Sequence, residues 1–220
     1  MTSTTPSPVP GFAVPWPETV CNPRHMGRTA SLARPEDPFR LDGYAPAGMA
    51  NTQTGVQVEL ATEGIATIAT GLPVLDRLVE ELAAKGRFRL VLEVAPGEAE
   101  AEVAAAGRAL GEALAPLLRA AGAAGHGWAW LPEGEALAGA VLDCSDSPLV
   151  ASNVDFSNQP LGGLSSDVIA RFLDEVARGA GLNIHIRVLE GRDPRHVLVA
   201  IFKAFGAALG QACRPQGGAA

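Results

Sequence analysis

The stretch FRLVLEVAPGEAEAEVAAAGRALGEAL (88–114) returns in altered form as LNIHIRVLEGRDPRHVLVAIFKAFGAAL (182–209). In each, alternating apolar residues give way to a loop and then to a helix rich in alanine and glycine. Phe88, Leu90 and Leu92 fall on Leu182, Ile184 and Ile186. With one extra residue in the second loop, Arg108, Ala109, Gly111, Ala113 and Leu114 fall on Lys203, Ala204, Gly206, Ala208 and Leu209. Two passes through one strand–helix pattern make an internal repeat, and a repeat decides the fold.

Upstream of each copy lies another helix: PVLDRLVEELAAKG (73–86) in the first pass, SSDVIARFLDEVARGAG (165–181) in the second. In the first, Val74, Leu75, Leu78, Val79 and Leu82 recur at helical spacing, and Gly86 is the expected C-cap. Ser165 or Ser166 is the expected N-cap of the second. Leu82 and Ala83 fall on Val176 and Ala177, and Glu81 falls on Glu175. Before these helices, TGVQVELAT with GIATIAT reads as one hairpin, and GEALAGAVLDCS with SPLVASNVDF as another. The expectation is an α+β protein of duplicated half-domains, each strand-strand-helix-strand-helix, with every half-sheet burying one face against two helices. The halves run about 51–122 and 123–213, with tails at 1–50 and 214–220. The small residues of the late helices suit close packing in layered or oligomeric assemblies.

The chain has 220 residues, 47% of them hydrophobic, enough for one large domain or two half-domains with a real core. Its net charge of −7 argues against nucleic acid as partner, since phosphate binding wants a basic face. No run approaches the ~18 apolar residues of a membrane span, and no apolar signal core opens the chain. Cys21, Cys144 and Cys213 are odd in number and widely spaced, which reads as reduced thiols in a cytoplasmic protein. Residues 1–50 hold nine of the 17 prolines and no periodic pattern. Such a segment is a flexible tail or, given the anchors Phe12, Trp16, Phe39, Leu41 and Tyr44, a strap onto a neighbouring subunit or protein partner. Cys21 and His25 are too few to hold a metal by themselves.

Three segments carry a resemblance. GLPVLDRLVEELAAKGRF (71–88), HGWAWLPEGEALAGAVLDCS (126–145) and LNIHIRVLEGRDPRHVLVAIFKAFGAAL (182–209) resemble the first helix, central hairpin and closing strand–helix of imidazoleglycerol-phosphate dehydratases. The similarity covers about residues 52–212. It implies the duplicated, ribosomal-protein-S5-domain-2-like fold of that family and a manganese-assisted dehydration in histidine biosynthesis. It also implies sites shared between subunits of a closed shell. Each half of such enzymes carries a His-His-x-x-Glu motif on its last helix, and that spacing lets a histidine and the glutamate reach one ion from one helical face.

Carried over residue by residue, the motif is mostly gone. Its histidines fall on Glu100 and Ala101 in the first half and its glutamate on Ala104; in the second half they fall on Arg195, His196 and Val199. A histidine of the first helix falls on Arg77, and an acid before the first strand on Gln53. After the central proline, Gly134 replaces an aspartate while Glu135 stays. Lys203 matches a phosphate-contacting lysine. The basic residues before the central hairpin and the serine-and-lysine tail after the last helix are missing. His185 and His196 are the remnant ligand-type residues. Because His185 lies between Ile184 and Ile186, it points opposite to them on a strand, either as a partly buried hydrogen-bonded histidine or as a leftover ligand. Arg77 and Arg195 have the charge to fill the emptied places by pairing with acids such as Glu100. The three glutamates at 98, 100 and 102 are either a solvated helix start favoured by the helix dipole or a weak cation site.

The reading that follows is a catalytically degenerate structural or assembly subunit, self-associating into a large symmetric oligomer and needing no cofactor. One alternative is an atypical manganese-dependent lyase in histidine biosynthesis, its site completed by a partner. Another is a non-catalytic binder of a small anion through Lys203 and the arginines.

Overall fold

The computed structural model describes residues 54–154 and 166–215. The first pass runs β1 (Gly55–Leu60), β2 (Ile65–Ala69), α1 (Pro73–Gly86), β3 (Phe88–Glu93) and α2 (Ala99–Leu118). The second runs β4 (His126–Glu133), β5 (Ala136–Cys144), β6 (Leu149–Ser152), α3 (Ser166–Ala180), β7 (Leu182–Glu190) and α4 (Pro194–Ala212). The repeat is therefore real, and the second pass carries one strand more than the first among the described residues.

Strand order corrects the expected hairpins. β1 and β2 do not pair with each other; both flank β3, in the order β1-β3-β2, with β1 antiparallel and β2 parallel to it. The second sheet, β4-β5-β7-β6, repeats this: β5 and β6 flank β7, again one antiparallel and one parallel. The hairpin that does form joins β4 to β5. Alternation along a strand dictates which face a residue takes, and it says nothing about which strand lies alongside. The helix decides: β2–α1–β3 and β6–α3–β7 are crossovers that return the chain parallel to the strand they left. Gly64, in the β1–β2 connection, runs so close to the end of α1 that a Cβ there would lie 2.3 Å from the Ala83 carbonyl oxygen.

Each sheet turns one face to the helices. Phe88, Leu90 and Leu92 of β3 and Leu182, Ile184 and Ile186 of β7 all point inward and are almost fully buried. α1 packs on α4 and α2 on α3, so the two halves join helix to helix with a sheet outside each layer. The five expected α1 positions, Val74, Leu75, Leu78, Val79 and Leu82, are all buried. α4 is buried nearly all round, from Val197 through Ala212, because it is held between α1 and the inner face of β4 and β5. That face is built from Gly127, Ala129, Ala138 and Ala140, and a Cβ at Gly127 would meet the Ala208 carbonyl oxygen at 2.1 Å.

Helix contacts are as close. A Cβ at Gly206 would stand 2.1 Å from the Leu82 carbonyl oxygen, and one at its repeat counterpart Gly111 2.6 Å from that of Val176. The cap of α1 departs from expectation. Gly86 is the last helical residue, and Arg87 takes the left-handed cap position at φ 53° and ψ 55°. Gly86 is small for a different reason: a Cβ there would lie 2.3 Å from the Phe88 ring. In the second half Gly181, at φ 68°, stands where Arg87 stands in the first. Ser166 is the first helical residue of α3 and so lies one place inside the cap; Ser165, the other expected cap, lies outside the described residues, as do Gln53 and the tails 1–50 and 216–220.

Candidate functional site

The positions that the resemblance equates with the family's ligands lie on the N-terminal turns of α2 and α4, on helix α1 and on strand β7. At the start of α2, Glu100 and Ala101 are exposed and Ala104 is half-buried. At the start of α4, Arg195 is exposed and its backbone N–H donates to the Asp193 carboxylate, which caps the helix at 2.8 Å. Val199 is in the core at 1% exposure. The two repeat-equivalent positions 104 and 199 thus offer no donor, and one of them no longer faces solvent.

Arg77 pairs along its own helix, with Glu81 at 2.7 Å and Glu80 at 3.3 Å, so its guanidinium is held on α1 and not by Glu100. Glu100 instead borders a groove with Asp167, Asp174, Arg171 and Arg178 of α3. His185 points away from Ile184 and Ile186 as expected and is exposed, opposite Val141 on β5. Exposure removes the partly buried alternative for that histidine. The outer face of the second sheet around it is unusually apolar: Trp128 is 62% exposed and Val141, its neighbour across the strands, 50%.

Glu135 binds the second helix start. Its carboxylate accepts from the Asp193 N–H at 2.8 Å and the Arg192 N–H at 3.0 Å, and it contacts Nδ1 of His196. The Asp193 N–H, then the His196 ring, then the Arg192 N–H stabilise the carboxylate and lower its pKa to about 2. In turn the Glu135 hydrogen bond raises the pKa of His196. Gly134, at φ 52°, leaves room for the ring: a Cβ there would meet Nδ1 at 2.6 Å. The glycine in place of an acid and the retained Glu135 therefore act on one residue, His196.

Lys203 does not offer a free ammonium. It pairs with Glu133, and Glu81 lies 3.9 Å away; the side chain is only 16% exposed. Its repeat counterpart Arg108 donates to Glu175 at 3.0 Å and 3.2 Å, and Arg178 joins that same buried carboxylate. Glu175 is the counterpart of Glu81. Each half thus sends the cation of its last helix to the acid of the other half's first helix. The repeat alignment contained this signal, since it equated Glu81 with Glu175 and Arg108 with Lys203, yet spacing alone did not join acid to cation across the halves. The Thr70–Asp76 contact was equally hidden: the buried carboxylate accepts from both the backbone N–H and the hydroxyl of Thr70 ahead of α1.

Among the described residues no three His, Cys, Asp or Glu side chains are grouped to hold a metal ion, and no helix is long and apolar enough to cross a membrane. Two repeated sheet-and-helix units joined through their helices define the class.

Comparison with known proteins agrees. The family model for imidazoleglycerol-phosphate dehydratase matches residues 70–209. The chain is 35% identical over 169 residues to the dehydratase of Thioalkalivibrio sulfidiphilus, covering 74% of this chain and 85% of that protein. It is 37% identical over 151 residues to that of Methanosphaerula palustris, covering 66% and 76%. The chloroplastic enzyme of Pisum sativum is 31% identical over 196 residues, 86% of this chain and 68% of that one. The crystal structure of the Staphylococcus aureus dehydratase superposes with a TM-score of 0.68 at 26% identity, covering 76% of this chain and 96% of that chain. IGPD from Pyrococcus furiosus gives 0.65 at 25% identity, covering 76% and 93%. This chain belongs to the imidazoleglycerol-phosphate dehydratase family.

Proposed function

We propose that this chain is a non-catalytic member of its family, a structural or assembly subunit that keeps the packing half of the fold without the metal chemistry. The observation that carries the reading is the fate of the ligand helices. Ala101, Ala104 and Val199 have no donor atoms, Val199 is core, and the one basic residue matching a substrate contact, Lys203, is held between Glu133 and Glu81. A transition-metal site needs several suitable ligands at fixed geometry, and an alanine or valine cannot be compensated by its surroundings. The described residues of a single chain do not fit a manganese ion, and no dehydration step is assigned to them.

Self-association is part of this reading. The outer face of the second sheet exposes Trp128, Trp130, Val141 and Leu149 together, an apolar surface of the kind that marks protein contacts. A second copy of this chain is the assigned occupant. Residues 1–50, outside the described residues, would serve as a strap for a protein partner. A cytoplasmic setting accords with Cys144 and Cys213 as free thiols, the latter pushed up to about 12 by burial and therefore inert. The experiment is complementation of a histidine-requiring strain lacking its own dehydratase: the full chain is expected not to restore growth, and growth would refute the reading.

One observation favours a second reading, a site completed by a partner subunit. A histidine whose Nδ1 is oriented by a carboxylate, as His196 is by Glu135, presents Nε2 in the manner of metal-ligating histidines. Co-expression with an active dehydratase decides between the two. Mixed oligomers whose His196→Ala form loses activity would support completion, and unchanged activity would reject it.

A further inference from the structure

β4 is an edge of the second sheet, bonded to β5 on one side only. With eight residues it is the longest edge strand among the described residues; β1 has six, β2 five and β6 four. It also carries the exposed tryptophans Trp128 and Trp130. A long apolar edge offers a row of unpaired backbone N–H and C=O groups to which a further strand can add.

The register fixes which backbone groups face outward. The Cys144 N–H donates to the Gly125 carbonyl at 2.8 Å, so odd-numbered residues along β4 turn their backbone groups to β5. The even-numbered residues His126, Trp128, Trp130 and Pro132 turn theirs to the open side. That open row is closed in three places. Just ahead of the strand, the Ala124 N–H donates to the Arg214 carbonyl at 3.0 Å. The Trp128 N–H donates to Oε1 of Gln211 at 3.1 Å. Pro132 has no N–H to give. A strand added to this edge needs the groups of alternate residues in succession, and the acceptor on Trp128 interrupts the run in its middle.

The packing brings Gln211 to that position. Gly127 lets the last turns of α4 lie against β4: a Cβ there would stand 3.1 Å from Cβ of Gln211, besides meeting the Ala208 carbonyl oxygen. The Gly125 N–H donates to the Ala212 carbonyl at 3.0 Å and ties the same turn to the start of the strand. Gln211 itself is exposed, so core packing does not call for a glutamine here. Its bond to the strand edge is the contact that distinguishes it.

We propose that Gln211 guards the β4 edge: its side chain occupies the backbone donor of Trp128, so that copies of this chain meet through the outer face of the sheet and not by continuing the sheet from edge to edge. The use of the face rests on the self-association reading above. The closure of the edge stands on the geometry of Gln211 and the strand alone.

Gln211→Ala in the full chain tests the guard. It removes the acceptor at an exposed helical position where alanine is well tolerated, so the fold is kept. In dilute solution, hydrogen exchange of the Trp128 amide is expected to speed up about fivefold, the loss of one net hydrogen bond. Gln211→Glu keeps an oxygen acceptor and should leave that exchange slow. As Gln211→Ala is concentrated, its mass by light scattering should rise above that of the unmodified chain, and the Trp128 and Trp130 amides should slow again as strands add. Equal masses at every concentration would overturn the proposal. So would a gain in mass that leaves the Trp128 amide as fast as in dilute solution. An unmodified chain that stays monomeric would reject the self-association reading alone, and Gln211→Ala would still be expected to gain mass.

Discussion

Glu135 and Gly134 serve one side chain, His196: the carboxylate contacts its ring and the glycine leaves the ring room. The carboxylate of Glu135 is lowered to about 2 by the Asp193 N–H, the imidazole and the Arg192 N–H, so its contribution to stability exists above the ordinary 4.5 and fades as pH falls through the lowered value. His196 is shifted the other way by Glu135. Its contribution is complete below the ordinary 6.5 and is lost as pH rises past the raised folded value. The couple therefore counts fully between about pH 4.5 and 6.5. In an NMR titration, His196 should titrate above 6.5 in the native chain and lower in Glu135→Gln. The melting-temperature gap between the two proteins should narrow as pH rises above that window. An unmoved His196 titration would show that the contact does not form in solution. The sequence exposed His196, Glu135 and Gly134 as separate departures or survivals; it could not show their contact, because 61 residues separate the two partners.

A second residue-scale prediction concerns Glu175, buried at 4% exposure, whose pKa is lowered overall. Burial, the largest influence, works against that lowering and is outweighed by Arg108, then by Arg178 and Arg171. Arg108→Met leaves the carboxylate with a weaker set of partners and should cost about 1–3 kcal/mol in denaturant unfolding, the usual penalty for an under-satisfied buried polar group. Replacing both partners, Arg108→Met with Glu175→Leu, should recover much of that loss, since no buried charge is left and Arg178, which also loses Glu175, stays in solvent.

At the scale of elements, the helices were legible and the sheet order was not. Periodicity placed α1 and its five buried positions, and the repeat placed β3 with β7 and α2 with α4. Pairing depends on where the crossover helices return the chain, which local alternation does not encode; hence two hairpins were expected where β3 and β7 in fact insert. The cap at Gly86 failed for a similar reason. A glycine at a helix end signals either a left-handed turn or a close approach, and here the neighbouring Phe88 ring and α4 backbone require the second. Close approach also yields the element-scale prediction. Gly206→Ala and Gly111→Ala would each push a methyl group into a backbone carbonyl of the facing helix, at 2.1 Å and 2.6 Å. Each should destabilise the chain by about 1–3 kcal/mol through overpacking. The exposed Ala101→Gly change, in the first turn of α2, should cost less than either, about 1 kcal/mol at most from lost helix propensity. Equal effects at all three positions would contradict the helix-to-helix joint.

The whole molecule is a family scaffold whose two halves exchange charges across their helices. Opposite the buried helices, the second sheet presents Trp128 and Val141 side by side to the outside. If that face joins copies, Trp128→Asp with Val141→Asp should lower the mass seen by light scattering without lowering the melting temperature of the subunit; an unchanged mass would assign assembly to another surface. The central claim, retention of scaffold with loss of chemistry, is tested most directly on the purified full chain incubated with manganese. Metal content after desalting and turnover of imidazoleglycerol phosphate are measured on one sample. A chain without the metal chemistry should retain no stoichiometric manganese and form no product; near-stoichiometric manganese together with product formation would refute that loss.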